Sequence, residues 1–128
     1  MPSTMRVGLV GAGWRLSPYL AAMRALPDEF EPVAAVSRTL RTAERFEAEH
    51  GVPTTTDLDA FLASESVDFV LLSVPWPQIL PLAGRLLDAG VRVLSETPIA
   101  ERTELVGPFL ERFGSHVDQT RCPPRRRR

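Results

Sequence analysis

Residues 6–14 read Arg6-Val7-Gly8-Leu9-Val10-Gly11-Ala12-Gly13-Trp14, an apolar strand running straight into a Gly-x-Gly turn. Such a strand needs cover on both faces, and such a turn reverses the chain sharply into a helix, so the segment commits the chain to a βα unit. The turn also brings main chain close to whatever lies above the strand. It aims the free N–H groups of the next helix at that spot, which is how a protein meets a phosphate. Where the full Gly-x-Gly-x-x-Gly spacing expects a third glycine the chain has Leu16, so helix and strand are expected to stand further apart than in the strict motif. Two glycines alone also close tight turns in unrelated α/β domains, and the rest of the chain has to decide.

Downstream, short β-rich runs alternate with helical stretches, the pattern of βαβ units on a parallel sheet. Strands are expected over residues 6–10, 33–37, 52–55, 67–74 and 91–94. Pro53 cannot donate to a ladder, which puts the third strand at an edge. Helices are expected over 14–26, after a Thr39 or Thr42 cap with Leu40, Ala43, Phe46 and Ala48 inward and Gly51 as stop, after an Asp57 cap with Leu58, Phe61 and Leu62, over 78–89 before Gly90, and over 102–113 with an interruption at Gly107-Pro108. Right-handed crossovers then give an α/β fold, a doubly wound parallel sheet of Rossmann type in the order 3-2-1-4-5 with helices on both faces. Ligands bind such a sheet at the carboxyl ends of strands one and four, where the order reverses.

The 128 residues accommodate one domain, expected over 1–114, followed by a Pro/Arg-rich disordered tail over 115–128 that is consistent with a frameshift or early stop in a longer gene. All 15 basic residues are arginine, and Arg121 and Arg125 to Arg128 crowd the end. Residues 1–120 therefore carry 10 arginines against 16 acids, and an acidic body argues against nucleic acid as a partner. With no lysine, Schiff-base chemistry is excluded. The single Cys122 rules out an internal disulfide and a multi-cysteine zinc site, which fits a reducing compartment. No apolar run reaches membrane-span length and no secretory signal opens the chain, so no membrane partner and a cytoplasmic location are expected. His50 sits at a helix end where a cation suits the dipole and His116 borders the tail, so neither is a catalytic candidate.

The strand ends carry the chemistry. After strand two, where an NAD site usually places an acid for the ribose 2′-hydroxyl, the chain has Ser37-Arg38-Thr39. A guanidinium flanked by hydroxyls and free of carboxylates suits a 2′-phosphate, so NADP is expected over NAD, with NAD kept open. Arg15, at the helix start, is a second candidate for phosphate contact. After strand four, Val74-Pro75-Trp76-Pro77 stiffens the mouth of the cleft, and Trp76 either packs on the ligand or covers the local core. After strand five comes Ser95-Glu96-Thr97-Pro98.

Taken together, the Gly-x-Gly turn, Ser-Arg after strand two, Val-Pro after strand four and Glu-x-Pro after strand five resemble the N-terminal domain of the Gfo/Idh/MocA oxidoreductases, over residues 5 to 106. That resemblance implies Gly11, Gly13 and Trp14 at the pyrophosphate, Ser37 and Arg38 at the 2′ end of the adenosine, Pro75 and Trp76 beside the cofactor, and Glu96 and Pro98 near the nicotinamide; the adjoining Ala12, Arg15, Thr39 and Val74 are further cofactor candidates. It also implies Glu96 and Thr97 as the candidate catalytic pair. Thr97 stands where the family's hallmark Glu-Lys-Pro has its lysine, and a threonine cannot be a cationic acid near neutral pH.

Family members carry a second domain that supplies the substrate pocket, commonly a catalytic histidine, and the oligomer interface, and no segment here has room to be that domain. The chain is thus expected to be the NADP(H)-binding part of a hydride-transferring oxidoreductase. It would bind cofactor, turn over little alone, and meet a small-molecule substrate only with a second domain. A homo-oligomer stays open, as do a non-catalytic nucleotide-sensing module and an inactive fragment. A methyltransferase shares the Gly-x-Gly turn but wants an acid after strand two, which Ser37-Arg38 does not provide.

Overall fold

The computed structural model describes residues 3–96 and 98–114. Its centre is β1 (Met5–Val10), flanked by β2 (Phe30–Val36) and β4 (Phe69–Leu72), with β3 (Thr54–Thr55) and β5 (Val93–Ser95) at the edges. All neighbours pair in parallel, in the expected 3-2-1-4-5 order. The crossovers are α1 (Leu16–Ala25), α2 (Leu40–His50), α3 (Leu58–Ser64) and α4 (Trp76–Asp88), and α5 (Val106–Phe113) follows β5. Among the described residues no helix is long and apolar enough to cross a membrane.

Strand periodicity sorts the apolar side chains into two cores. Val7, Leu9, Ala35 and Leu71 face Leu16, Leu20 and Met23 of α1 and Phe46 of α2. Val10, Val36, Val70 and Leu72 face Leu58 and Phe61 of α3 and Ile79, Ala83 and Leu86 of α4. Each large side chain so buried contributes about 1.5–3 kcal/mol before entropy is counted. Leu16, at the place of the third glycine, is fully buried among Leu9 and Leu20, so a side chain fills the helix–strand gap that a glycine would close. Gly8 lets the ring of Phe61 press on the central strand, because a Cβ there would come within 2.5 Å of Phe61 Cζ.

Element ends differ from the sequence expectation for identifiable reasons. β2 starts at Phe30 and runs through Pro32, and the β1–β2 register shifts between Val7 and Gly8 opposite that proline, which has no N–H to offer. β4 starts only at Phe69 because the Asp68 carboxylate takes the Arg6 N–H at 2.7 Å. β5 starts late because Val91 N–H still serves α4, donating to Leu86 O at 3.0 Å while Gly90 donates to Leu87 O and holds φ 77°, a Schellman end. α4 begins at Trp76, with Pro75 as its N-cap and Pro77 in the first turn, where a missing N–H costs nothing. The same logic holds at Gly107-Pro108, which opens α5 after a 3₁₀ turn at Thr103–Leu105 and does not interrupt it. On α2, Leu40 and Ala48 are exposed; Ala43 and Phe46 alone are buried, and the His50 ring packs 4.6 Å from that of Phe46.

Candidate functional site

The chain crosses from β1 to α1 under tight constraint. Gly11 N–H donates to Val36 O at 2.8 Å and Ser73 N–H to Val10 O at 2.9 Å, so three strand ends are tied at one level. Gly11 has φ 116°, and a Cβ there would lie 2.0 Å from Ser73 O, so no other residue fits. Gly13 has nothing within 4 Å of its would-be Cβ, so its open space faces the groove. Leu16 and Ser17 N–H close short turns onto Gly13 O and Trp14 O, while the N–H groups of Ala12 to Arg15 find no acceptor among the described residues. Four successive free amides at a helix start form a ready anion cradle.

Around this cradle runs a groove of about 940 Å³, at the upper end of the small-molecule range. Gly11 to Arg15, Ser37, Arg38 and Val74 to Trp76 all line it, so the motifs after β1, β2 and β4 meet at the point where the sheet order reverses, while the motif after β5 does not line the groove. Trp14 and Trp76 are 79% and 51% exposed, two aromatic faces at the groove mouth.

At the β2 end, Ser37 is buried and its hydroxyl donates to Thr39 O at 3.4 Å, bracing the turn that presents Arg38. Thr39 caps α2, accepting the Thr42 N–H at 3.3 Å and contacting the Thr42 hydroxyl, and it does not line the groove. The lining continues instead along one face of α2, through Thr42 and Arg45, and along one face of α4, through Gln78, Leu82 and Arg85. Sequence reasoning missed these residues, although their helical spacing from the strand-end motifs was available as a signal.

The β5 end is organised by an ion pair. Arg15 Nη1 lies 3.2 Å from Glu96 Oε2, linking the start of α1 to the end of β5, and the Arg15 guanidinium also sits 5.8 Å from the Trp14 ring centre. Tyr19, on the next turn of α1, stands close enough to the same carboxylate to feel it. Burial pushes the Tyr19 hydroxyl above its ordinary value, Glu96 adds to the shift by charge and by hydrogen bond, and Arg15 opposes it. Tyr19 was not among the sequence candidates, since only the approach of α1 to β5 makes it a site residue. Glu96 is partly buried, Pro98 is exposed, and neither lines the groove. Thr97 lies outside the described residues, as do Cys122, His116 and the tail expected over 115–128.

Residues 5–111 match the family model described as an oxidoreductase family with an NAD-binding Rossmann fold, Gfo/Idh/MocA. Over 124 residues the chain is 32% identical to trans-1,2-dihydrobenzene-1,2-diol dehydrogenase of Oryctolagus cuniculus, an alignment covering 91% of this chain and 38% of that protein. Among solved structures it is similar to the WlbA dehydrogenase from Bordetella pertussis in complex with NADH and UDP-GlcNAcA, with a TM-score of 0.79 and 26% identity over 88% of this chain and 34% of that one. It is also similar to KijD10, a 3-ketoreductase from Actinomadura kijaniata in complex with NADP and TDP-benzene, with a TM-score of 0.72 and 29% identity over 88% of this chain and 33% of that one. The chain thus spans about a third of the length of these relatives.

Proposed function

This chain belongs to the Gfo/Idh/MocA oxidoreductase family, and from that premise we propose that it is the NADP(H)-binding domain of a hydride-transferring oxidoreductase. The observation that carries the cofactor choice is Arg38. It lines the groove at the end of β2, its sequence neighbours Ser37 and Thr39 are not acids, and it has no ion-pair partner among the described residues. A 2′-phosphate supplies the partner it lacks, whereas a 2′-hydroxyl would seek a carboxylate. WlbA was solved with NADH and KijD10 with NADP, so the fold accommodates both and the choice rests on such residues.

The residues present fit a dinucleotide from end to end. The free amides of Ala12 to Arg15 would hold the pyrophosphate, Arg38 the 2′ end, and Trp76 with Pro75 the wall beside the nicotinamide half. Bound there, the cofactor supplies hydride exchange with a substrate carbon bearing a hydroxyl or amine. Glu96, held by Arg15, would position groups beside the reacting ring together with Thr97 and Pro98. Alone, the chain is proposed to bind cofactor and turn over little, because the relatives extend well beyond the third of their length that it spans. Substrate selection and any homo-oligomer are assigned to that remainder.

Calorimetric titration with NADPH and NADH tests the reading. The expected result is at least about ten-fold tighter NADPH binding, with Arg38→Ala erasing the preference, as loss of a charge-assisted hydrogen bond would. Equal binding of the two cofactors, or tighter NADH, would overturn it.

A further inference from the structure

The charges lining the groove are unevenly satisfied. Arg15 pairs with Glu96 at 3.2 Å, and Arg85 pairs with Asp59 at 2.7 Å. Asp57 accepts the N–H groups of Asp59 and Ala60 at the cap of α3. That leaves Arg38 and Arg45, both on the β2–α2 wall, with no acidic partner among the described residues. This is unexpected in a chain that carries 10 arginines against 16 acids over residues 1–120.

The local helix makes the arrangement costlier. The first turn of α2 carries no acidic residue, and Arg38 before the cap and Arg41 in that turn already stand at its positive end, where the macrodipole disfavours cations; Arg45 adds a third guanidinium one turn further on. Thr39, which supplies the cap, is neutral. Arg45 follows Thr42 by three residues on the face that lines the groove, whereas Arg41 does not line it. Arg38 and Arg45 thus put two guanidiniums with no acidic partner among the described residues on one wall of the groove, a positive stretch that a bound anion would neutralise. A local rule broken in this way points to a ligand.

We propose that Arg45 is a second determinant of cofactor choice, closing on the 2′-phosphate of NADP(H) from α2 while Arg38 holds it from the end of β2. This rests on the NADP reading above and adds to it a residue outside the strand-end motif. The clamp explains how Thr39 can be given over to the cap. The second group on the phosphate is a cation one turn into the helix, and arginine's forked donors suit a tetrahedral anion from that side.

The test is calorimetric titration of the whole chain with NADPH and with NADH, for the unaltered protein, Arg38→Ala, Arg45→Ala and Arg45→Gln, with a thermal melt of each. Arg45→Ala and Arg45→Gln are expected to weaken NADPH about ten-fold while NADH changes less than two-fold, with melting little changed because the residue is exposed. Equal losses for both cofactors, or unchanged NADPH affinity, would overturn the proposal. If Arg38→Ala erases the NADPH preference and neither Arg45 variant does, Arg45 alone is wrongly assigned. A protein with no NADPH preference to begin with sinks both readings together.

Discussion

The two ends of the groove are built on opposite principles. At the glycine turn the ligand surface is main chain, four amides that find no acceptor among the described residues, and what matters is which side chains are missing. At the β2–α2 end the surface is side chain, two guanidiniums with no ion-pair partner among the described residues, and what matters is which groups were put there. A pyrophosphate is common to every dinucleotide, so a backbone cradle can serve them all. The 2′ substituent differs between cofactors, so it falls to residues that substitution can change without disturbing the fold.

That contrast is sharpest within the turn itself, where two glycines of one motif do different work. Gly11→Ala would force a side chain onto a backbone at φ 116° and against Ser73 O, and Ser73 belongs to the strand-end ties. The expected loss of stability is on the order of 3 kcal/mol or more, a large part of what a domain of this size has, read by urea unfolding. A variant as stable as the parent would show that the turn can relax, and the main-chain end would not be rigid as described.

Gly13→Ala separates folding from binding. Its Cβ meets nothing within 4 Å, so stability should hold or rise by up to about 1 kcal/mol through the unfolded chain. The methyl group would stand in the space proposed for the pyrophosphate, so NADPH and NADH should both weaken, by about ten-fold, and by the same factor. Unequal losses would mean that the turn end also reads the 2′ substituent, which would break the division of labour between the two ends.

How far this was legible in the sequence follows the same divide. The main-chain end could be read from Gly11 and Gly13, because conformational demands leave their mark on residue type at one place in the chain. Strand order could be read for a related reason, since Pro53 and the apolar 67–74 run announce an edge and a centre. Prolines near helix starts were less transparent. Pro77 and Pro108 break helices in their interiors and open them in their first turns, and only the tertiary start point tells the two apart. The side-chain end was half legible. Arg38 adjoins a strand end, but Arg45 and Tyr19 become site residues only when α2 and α1 present particular faces to groups far away in sequence.

Arg15 tests whether the turn end is main chain alone. It stands beside the cradle as a candidate phosphate ligand, yet its guanidinium is held by Glu96, and Tyr19 shares that carboxylate. Tyr19 is the sole tyrosine of the chain, so tyrosinate absorbance in an alkaline titration reports this cluster and nothing else. Burial, then the charge and hydrogen bond of Glu96, hold its phenol above the ordinary value of about 10, and Arg15 opposes them. A raised folded-state value means that the stabilisation is complete below about pH 10 and is lost as pH rises through the folded midpoint. With Tyr19 38% exposed the effect on stability should be small, and Tyr19→Phe should differ from the parent only at that alkaline edge, losing less. The titration itself is the stronger reading. Glu96→Gln should lower the tyrosinate midpoint and Arg15→Ala should raise it. If saturating NADPH leaves the midpoint where it was, Arg15 stays with Glu96 and the amides carry the phosphate unaided; if NADPH raises it as Arg15→Ala does, the arginine has left Glu96 for the cofactor, and the turn end is part side chain after all.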